Sequence, residues 1–404
     1  MAIDDAAQAA LVRLRRELHT APEVGLNLPD TQRKLLNELN GLPLELTLGR
    51  GCTSITAVLR GTHPDRRDDA PAVLLRSDMD GLPVTEAVVS DYHSERAGAM
   101  HACGHDLHMA MLVGAARELC ARRAELLGDV VFMFQPGEEG WGGAMIMIEE
   151  GVLDAAGPRV SSAFGVHVFT GDLRPARIGI RSGTAMAFAA TLNVEIVGQG
   201  GHGSAPHLAS DPVPTAAETI LALHAATTRR FSALDPVVVT VGQMSAGTAS
   251  NIIPDTAQLS ATVRGFSHAS HALASEALPA LARGIAEAHG QRAEVEFRSE
   301  FPPVVNTASE AAIALELAQS LFGEDQVEEM QDPKTASEDF AEILERVPGV
   351  FAFIDATPAA GSEYNHSPHA AYDDAVLSDG ARFHTEFALT RLALLHADSA
   401  DGSR

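Results

Sequence analysis

Basic residues are scarce in this chain. Against 54 Asp and Glu stand 29 Lys and Arg, a formal charge of −25 over 404 residues. Nucleic acid and anionic membrane surfaces attract the opposite balance, so both partner classes are excluded. The excess acid does not imply a cationic substrate, because it fits a solvated surface equally well. Cysteine is also rare. Cys52, Cys103 and Cys120 are too few for a disulfide framework. Cys52 and Cys120 read as buried free thiols. A reducing, cytoplasmic setting is the simplest expectation, and it leaves Cys103 available to a metal. No run approaches the roughly eighteen apolar residues that a spanning helix needs. Met1–Gln8 lacks a basic region followed by an apolar run, so no secretory signal is expected. What remains, 46% hydrophobic and 5% aromatic residues, is an ordinary profile able to build a full core. The length suggests two domains, or one carrying a large insertion.

Helical and strand patterns alternate through the first half. Two helical segments lie between Leu11 and Asn40, interrupted by Ala21–Gly25. Strand-like runs follow at Ser54–Leu59, Ala72–Leu75, Asp129–Phe134 and Ser162–Val168. His105–Arg123 reads as a helix, and Met145–Glu150 as a short one ending at Gly151. This alternation predicts a layered α/β domain. From about Ala187 the order becomes strand (Phe188–Val197), helix (Pro212–Phe231), strands (Val237–Val241, Ala257–Phe266), helix (His268–His289) and strand (Ala293–Phe297). That β-α-β-β-α-β order is a ferredoxin-like unit. Helices are expected again at Ser309–Leu321, Ser337–Leu344 and Ser378–Ala397, with a strand at Gly349–Ile354. The prediction is an α/β domain built from residues 1–186 and 305–404, its central, mostly parallel sheet lying between helices. An α+β unit, residues 187–304, is inserted into it.

The segment Met100-His-Ala-Cys-Gly-His-Asp-Leu-His108 concentrates metal-ligand chemistry. It offers His101, Cys103, His105 and His108, and zinc-like ions favour thiolate and imidazole. Cys103 and His105, two residues apart at a loop-to-helix junction, are the first candidate pair. His108 shares the helix face of His105 and is either a supporting or a packing histidine. Glu138-Glu139 follows an apolar strand and a Pro-Gly turn, where open α/β sheets place their catalytic groups. Adjacent side chains diverge, so Glu139 is read as a ligand and Glu138 as the general base that takes a proton from water and passes it to a leaving amine. His167 ends one apolar strand, and His366 lies in a loop after another. Singly each reads as structural, but a shared site needs such positions. Asp80 is a natural carboxylate acceptor for a ligand imidazole N–H, although Asp78 and Asp80 also suit the capping of a turn. Gly198–Gly203 matches G-x-G-x-x-G, but no helix is expected at its last glycine. A flexible loop presenting His202 fits better than a dinucleotide site.

Taken in chain order, these segments resemble the amidohydrolase subfamily of the aminoacylase and carboxypeptidase-G metallopeptidases, which includes hippurate hydrolases and auxin–amino acid conjugate hydrolases. The matching stretches are Arg15–Glu23, Arg76–Pro83, Met100–His108, Gln135–Gly140, Gly165–His167, Gly201–His207, Asn251–Pro254, Thr262–Arg264, Ser337–Phe340 and Asn365–Pro368. The resemblance implies two divalent ions (zinc, manganese, cobalt or nickel) held by Cys103, His105, Glu139, His167 and His366, with Glu138 as base. It implies that residues 187–304 form a lid that mediates dimerisation. It also implies that His202 stabilises an oxyanion, in a partner subunit's site, and that Asn251 and Arg264 bind substrate. The chain departs from the dinuclear peptidases where Asp78 replaces a metal-binding histidine and the cysteine segment replaces their bridging carboxylate. The implied reaction is hydrolysis of small N-acyl amino acids by a homodimer or higher homo-oligomer, with a dipeptidase or carboxypeptidase on the same scaffold as the alternative.

Overall fold

The computed structural model describes residues 4–172 and 176–401, so the extreme ends of the expected outer domain lie outside the described residues. By internal contacts the chain divides into two units. The first comprises residues 1–185, 305–332 and 342–404; the second comprises 186–304 and 333–341. The stretch 333–341, which chain order alone would leave with the outer segments, joins the second unit.

The first unit is built on an eight-stranded sheet. Its order is Leu44–Leu48, Ile55–Leu59, Asp129–Gln135, Ala72–Asp78, Ser162–Phe169, Gly349–Asp355, Ile178–Ile180 and Val327–Glu329. The four strands from Asp129–Gln135 to Gly349–Asp355 run parallel, as does the pair at the far edge. The remaining pairings are antiparallel. The central strands are buried along their whole length, as expected where both faces of a parallel sheet are covered. The helix His105–Ala121 packs on the final helix, Leu377–Asp401, and both lie against the central strands. The mixed α/β architecture with a mostly parallel sheet is therefore the one expected.

The second unit has a four-stranded antiparallel sheet, ordered Val237–Ala246, Thr256–Gly265, Phe188–Val197 and Arg292–Phe301. With the helices Pro212–Arg229 and His268–Ala288 between its strands, the connectivity is β-α-β-β-α-β. Burial alternates strictly along Thr256–Gly265, because one sheet face carries the apolar core. The helix at Pro212 starts as expected: the Asp211 carboxylate accepts from the Val213 amide, and proline occupies the first turn.

The expected helix at Ser337–Leu344 is shorter in the structure, where only Ala341–Leu344 is helical. The Glu338 carboxylate accepts from the Phe340 amide at 3.0 Å, a local bond that competes with helix propagation. No helix begins at the last glycine of the Gly198–Gly203 run. Gly201–His202 is a short strand paired with Ile252–Ile253. No described helix is long and apolar enough to cross a membrane.

Candidate metal centre

The chemistry-bearing residues of the first unit gather beyond the carboxyl ends of its parallel strands, where open α/β sheets place their sites. Asp78 ends one strand, with Asp80 just beyond it. Glu138 and Glu139 follow the strand Asp129–Gln135, and His167 lies near the end of Ser162–Phe169. Cys103 and His105 sit at the start of the buried helix His105–Ala121. Gly104 enters that helix at φ +84, and a Cβ there would lie 2.3 Å from Val168 Cγ2. Only glycine satisfies both the turn and the close approach.

Cys103 is the centre of the cluster. Its sulfur lies 3.4 Å from His167 Nε2 and 3.2 Å from His366 Nε2. Donor atoms of Cys103, His105 and His167 lie within 4.8 Å of one another, and so do those of Cys103, Glu139 and His366. The two sets share Cys103. His366 Nε2 also approaches Glu139 Oε1 to 3.2 Å. Among the described residues other than glycine, His366 alone has a positive φ, 72°. Such backbone is costly and persists where neighbours enforce it. Here the His366 amide donates to Ala102 O at 2.8 Å. The Asn365 side chain donates to Val168 O and accepts from the Thr170 amide.

Two of the imidazoles are oriented through Nδ1. His105 Nδ1 donates to the backbone carbonyl of Asp80 at 2.8 Å, and His167 Nδ1 donates to Val168 O at 2.8 Å. Each leaves Nε2 turned into the cluster. His105 Nε2 is buried with no hydrogen-bond partner in the structure. Its nearest carboxylate oxygens, on Asp78, Glu138 and Glu139, stand at 3.6, 3.9 and 4.0 Å. A buried imidazole nitrogen ringed by acceptors too distant to bond it is the arrangement an inserted cation satisfies. The donor set of thiolate, imidazole and carboxylate suits zinc-like divalent ions. The residues present therefore fit a metal.

Electrostatics agree. Burial alone would lower the His366 pKa, but the Cys103 sulfur and the Glu139 carboxylate push it up to about 10. Burial opposes ionisation of Glu139 too, yet His366 and His105 keep its carboxyl below the ordinary range. The sulfur and carboxylate that favour a proton on His366 are the groups that would hold a cation. Burial, reinforced by the neighbouring His108, keeps His167 neutral.

Asp80 differs from its expected role. Its backbone carbonyl, and not its carboxylate, receives the His105 N–H; the carboxylate Oδ1 stands 3.7 Å away. The carboxylate instead accepts from the Glu138 amide at 3.0 Å and the Glu139 amide at 3.1 Å. Those two N–H groups need acceptors in a buried turn, and the carboxylate satisfies both.

His101 and His108 stand outside the donor sets that hold Cys103. His108 donates from Nδ1 to Asp78 Oδ1 at 2.7 Å and accepts at Nε2 from the Val168 amide at 2.8 Å, which occupies both nitrogens. Burial pushes His101 down to about 3, so it is neutral. Asp78 is fully buried, and burial alone would raise its pKa. His105, His108 and Arg76, whose guanidinium donates to it at 2.8 Å, hold it well below the usual carboxylate range. Sequence reasoning missed Asn365 and Tyr372, whose hydroxyl donates to Ala102 O at 2.7 Å. Asn365 was signalled only by its place beside His366, at the start of the matching stretch Asn365–Pro368.

Within the second unit, His202 and Asn251 come together across paired strands, with the Gly203 amide donating to Asn251 O at 2.9 Å. His202 Nδ1 accepts from the Ser204 amide at 3.1 Å, which places the ring proton on Nε2. Arg264 stands on the strand Thr256–Gly265, with Nη1 3.4 Å from Ser337 Oγ.

Comparison with known proteins bears on this geometry. Residues 74–390 match the model of peptidase family M20/M25/M40. The chain belongs to this family. It is 35% identical over 387 residues to an N-acetylcysteine deacetylase of Bacillus subtilis, covering 96% of this chain and 98% of that protein. It is 32% identical to a hippurate hydrolase of Campylobacter jejuni, covering 95% and 97%. The solved structure of the Bacillus subtilis YXEP protein, described as a dinuclear metal-binding peptidase of the M20 family, superposes with a TM-score of 0.82 at 32% identity. That match covers 96% of this chain and 99% of the other. Family membership accounts for a metal centre on this M20 sheet.

Proposed function

We propose that this chain hydrolyses the amide bond of small N-acyl amino acids, releasing a carboxylate and a free amino acid. The observation that carries the reading is a pair of donor sets sharing Cys103, with the buried Glu138 carboxylate 3.9 Å from His105 Nε2. The names of the deacetylase and hippurate hydrolase relatives support the substrate class.

Cys103, His105, Glu139, His167 and His366 would hold two divalent ions, of the zinc, manganese, cobalt or nickel type. When bound, such ions polarise a carbonyl and acidify water. Glu138 takes the proton of the attacking water and delivers it to the leaving amine. Asp80 keeps Glu138 and Glu139 in place through their backbone amides. The Nε2–H of His202 is set to donate to the oxyanion that forms at the carbonyl. The family resemblance puts His202 in the site of a second copy, which makes the working form a homodimer assembled through residues 187–304. Arg264 pairs with the substrate carboxylate, and Asn251 contacts the substrate beside it.

The test is Glu138→Ala, assayed on N-benzoylglycine and N-acetyl amino acids with manganese or zinc. Turnover should fall by about 10²–10⁴-fold, and undiminished turnover would remove Glu138 from the role. Free dipeptides in the same panel separate this reading from a dipeptidase or carboxypeptidase.

A further inference from the structure

The ligands of the candidate centre come from elements that are far apart in sequence, and the loop Pro83–Ala99 touches two of them. The loop is closed at its base by paired backbone bonds between Leu82 and Met100, at 2.9 and 3.0 Å. Met100 immediately precedes the segment that carries Cys103. Near its start, the Glu86 side chain is only 4% exposed. Its Oε1 accepts from His19 Nε2 at 3.2 Å, and its Oε2 accepts from the Ser94 amide at 2.6 Å, tying the two limbs of the loop together.

The contact continues inward. His19 Nδ1 donates to Asp106 at 2.7 Å, and Arg15 Nε approaches the same Asp106 oxygen to 2.9 Å. Asp106 follows His105 directly, in the first turn of the helix. A chain of alternating charges thus runs from Arg15 through Asp106 and His19 to Glu86. Tyr92, on the same loop, lies under the guanidinium groups of Arg15 and Arg16, at 4.8 and 4.6 Å. On the other side, the Ala87 amide donates to Pro368 O at 2.8 Å. Pro368 lies in the loop that carries His366. Two consecutive residues, Glu86 and Ala87, therefore connect the helix bearing His105 with the loop bearing His366.

We propose that the segment Val84–Arg96 is a positioning strap, fastened by Glu86, that holds the Cys103–His105 turn and the His366 loop at the spacing metal binding requires. The proposal rests on the metal reading above. Glu86 touches none of the ligands; it acts through His19 and Asp106 on one side and through Ala87 on the other. Outer partners of metal ligands typically change affinity by about 10–100-fold when removed.

The test compares the wild-type protein with Glu86→Ala and with Glu86→Gln, which keeps a carbonyl acceptor for the Ser94 amide. Manganese or zinc affinity is read by chelator competition, and amide exchange of residues 101–108 and 364–369 is read on the metal-free protein. Glu86→Ala should weaken metal binding by about 10-fold or more and accelerate exchange in both ligand segments, with Glu86→Gln falling between it and wild type. Affinity within two-fold of wild type in the variants that fold, or faster exchange confined to residues 84–96, overturns the proposal. If Glu86→Ala does not fold, the same criteria apply to Glu86→Gln. Wild-type protein that takes up no divalent ion would sink the metal reading instead, and exchange in the two ligand segments would still decide for or against the strap.

Discussion

Cys103 Sγ and His366 Nε2 lie 3.2 Å apart although 263 positions separate them in the chain. The contact joins two donor sets that have only Cys103 in common. Replacing Cys103 with Ala should therefore empty both sets together, whereas replacing His167 with Ala should weaken one. Elemental analysis after gel filtration checks this. Cys103→Ala should retain almost no metal and His167→Ala an intermediate amount. Equal, partial loss in the two variants would show that Cys103 is not shared.

Asp80 holds the glutamate turn, while the proton of His105 goes to the Asp80 backbone. Asp80→Ala removes the carboxylate and leaves that backbone acceptor. The expected result is a fall in kcat of about 10–100-fold, as for other supporting groups, with KM and metal content nearly unchanged. Loss of metal in proportion to activity would mean that Asp80 acts on the ligands themselves.

His19 supplies a pH-dependent contribution to stability. Burial lowers its pKa, but Asp106 and Glu86 outweigh that and raise it above the ordinary value, against opposition from Arg15. Tyr92 packs edge-on against the ring, and neutral His101 lies 6.3 Å away. A raised folded-state pKa stabilises fully below about pH 6.5, where the unfolded histidine is also charged, and the contribution fades as pH rises through the folded value. The Tm difference between wild type and His19→Gln should thus be largest in mild acid and shrink toward alkaline pH. A difference that grows with pH contradicts the assignment.

Much of this was legible in the residues, for physical reasons. Four buried parallel strands read as unbroken apolar runs, and the inserted unit announced itself by alternation and by the Asp211-Pro212 start. Cys103 and His105 were visible because their donor types cluster, Glu139 and His167 because they follow or end apolar strands, and His366 because it lies in a loop after another strand; the family resemblance joined the five into one set. Less legible was anything carried by the backbone. Asp80 was expected to use its carboxylate on an imidazole, since side-chain identity says nothing of which oxygen faces which donor. His101 and His108 share the segment of Cys103 and His105 and were ranked behind them, and the Val168 amide and Asp78 do occupy both nitrogens of His108. Glu86 and Asn365 gave no signal of their own, because their partners are set by tertiary contacts.

The central claim is metal-dependent hydrolysis of N-acyl amino acids at the Cys103 cluster. It is tested most directly by stripping the protein with a chelator, restoring manganese or zinc, and following release of free amino acid from N-benzoylglycine and N-acetyl amino acids. The account predicts loss of turnover on stripping and recovery on adding metal, with no recovery in Cys103→Ala. Turnover that survives chelation, or equal recovery in Cys103→Ala, would contradict it.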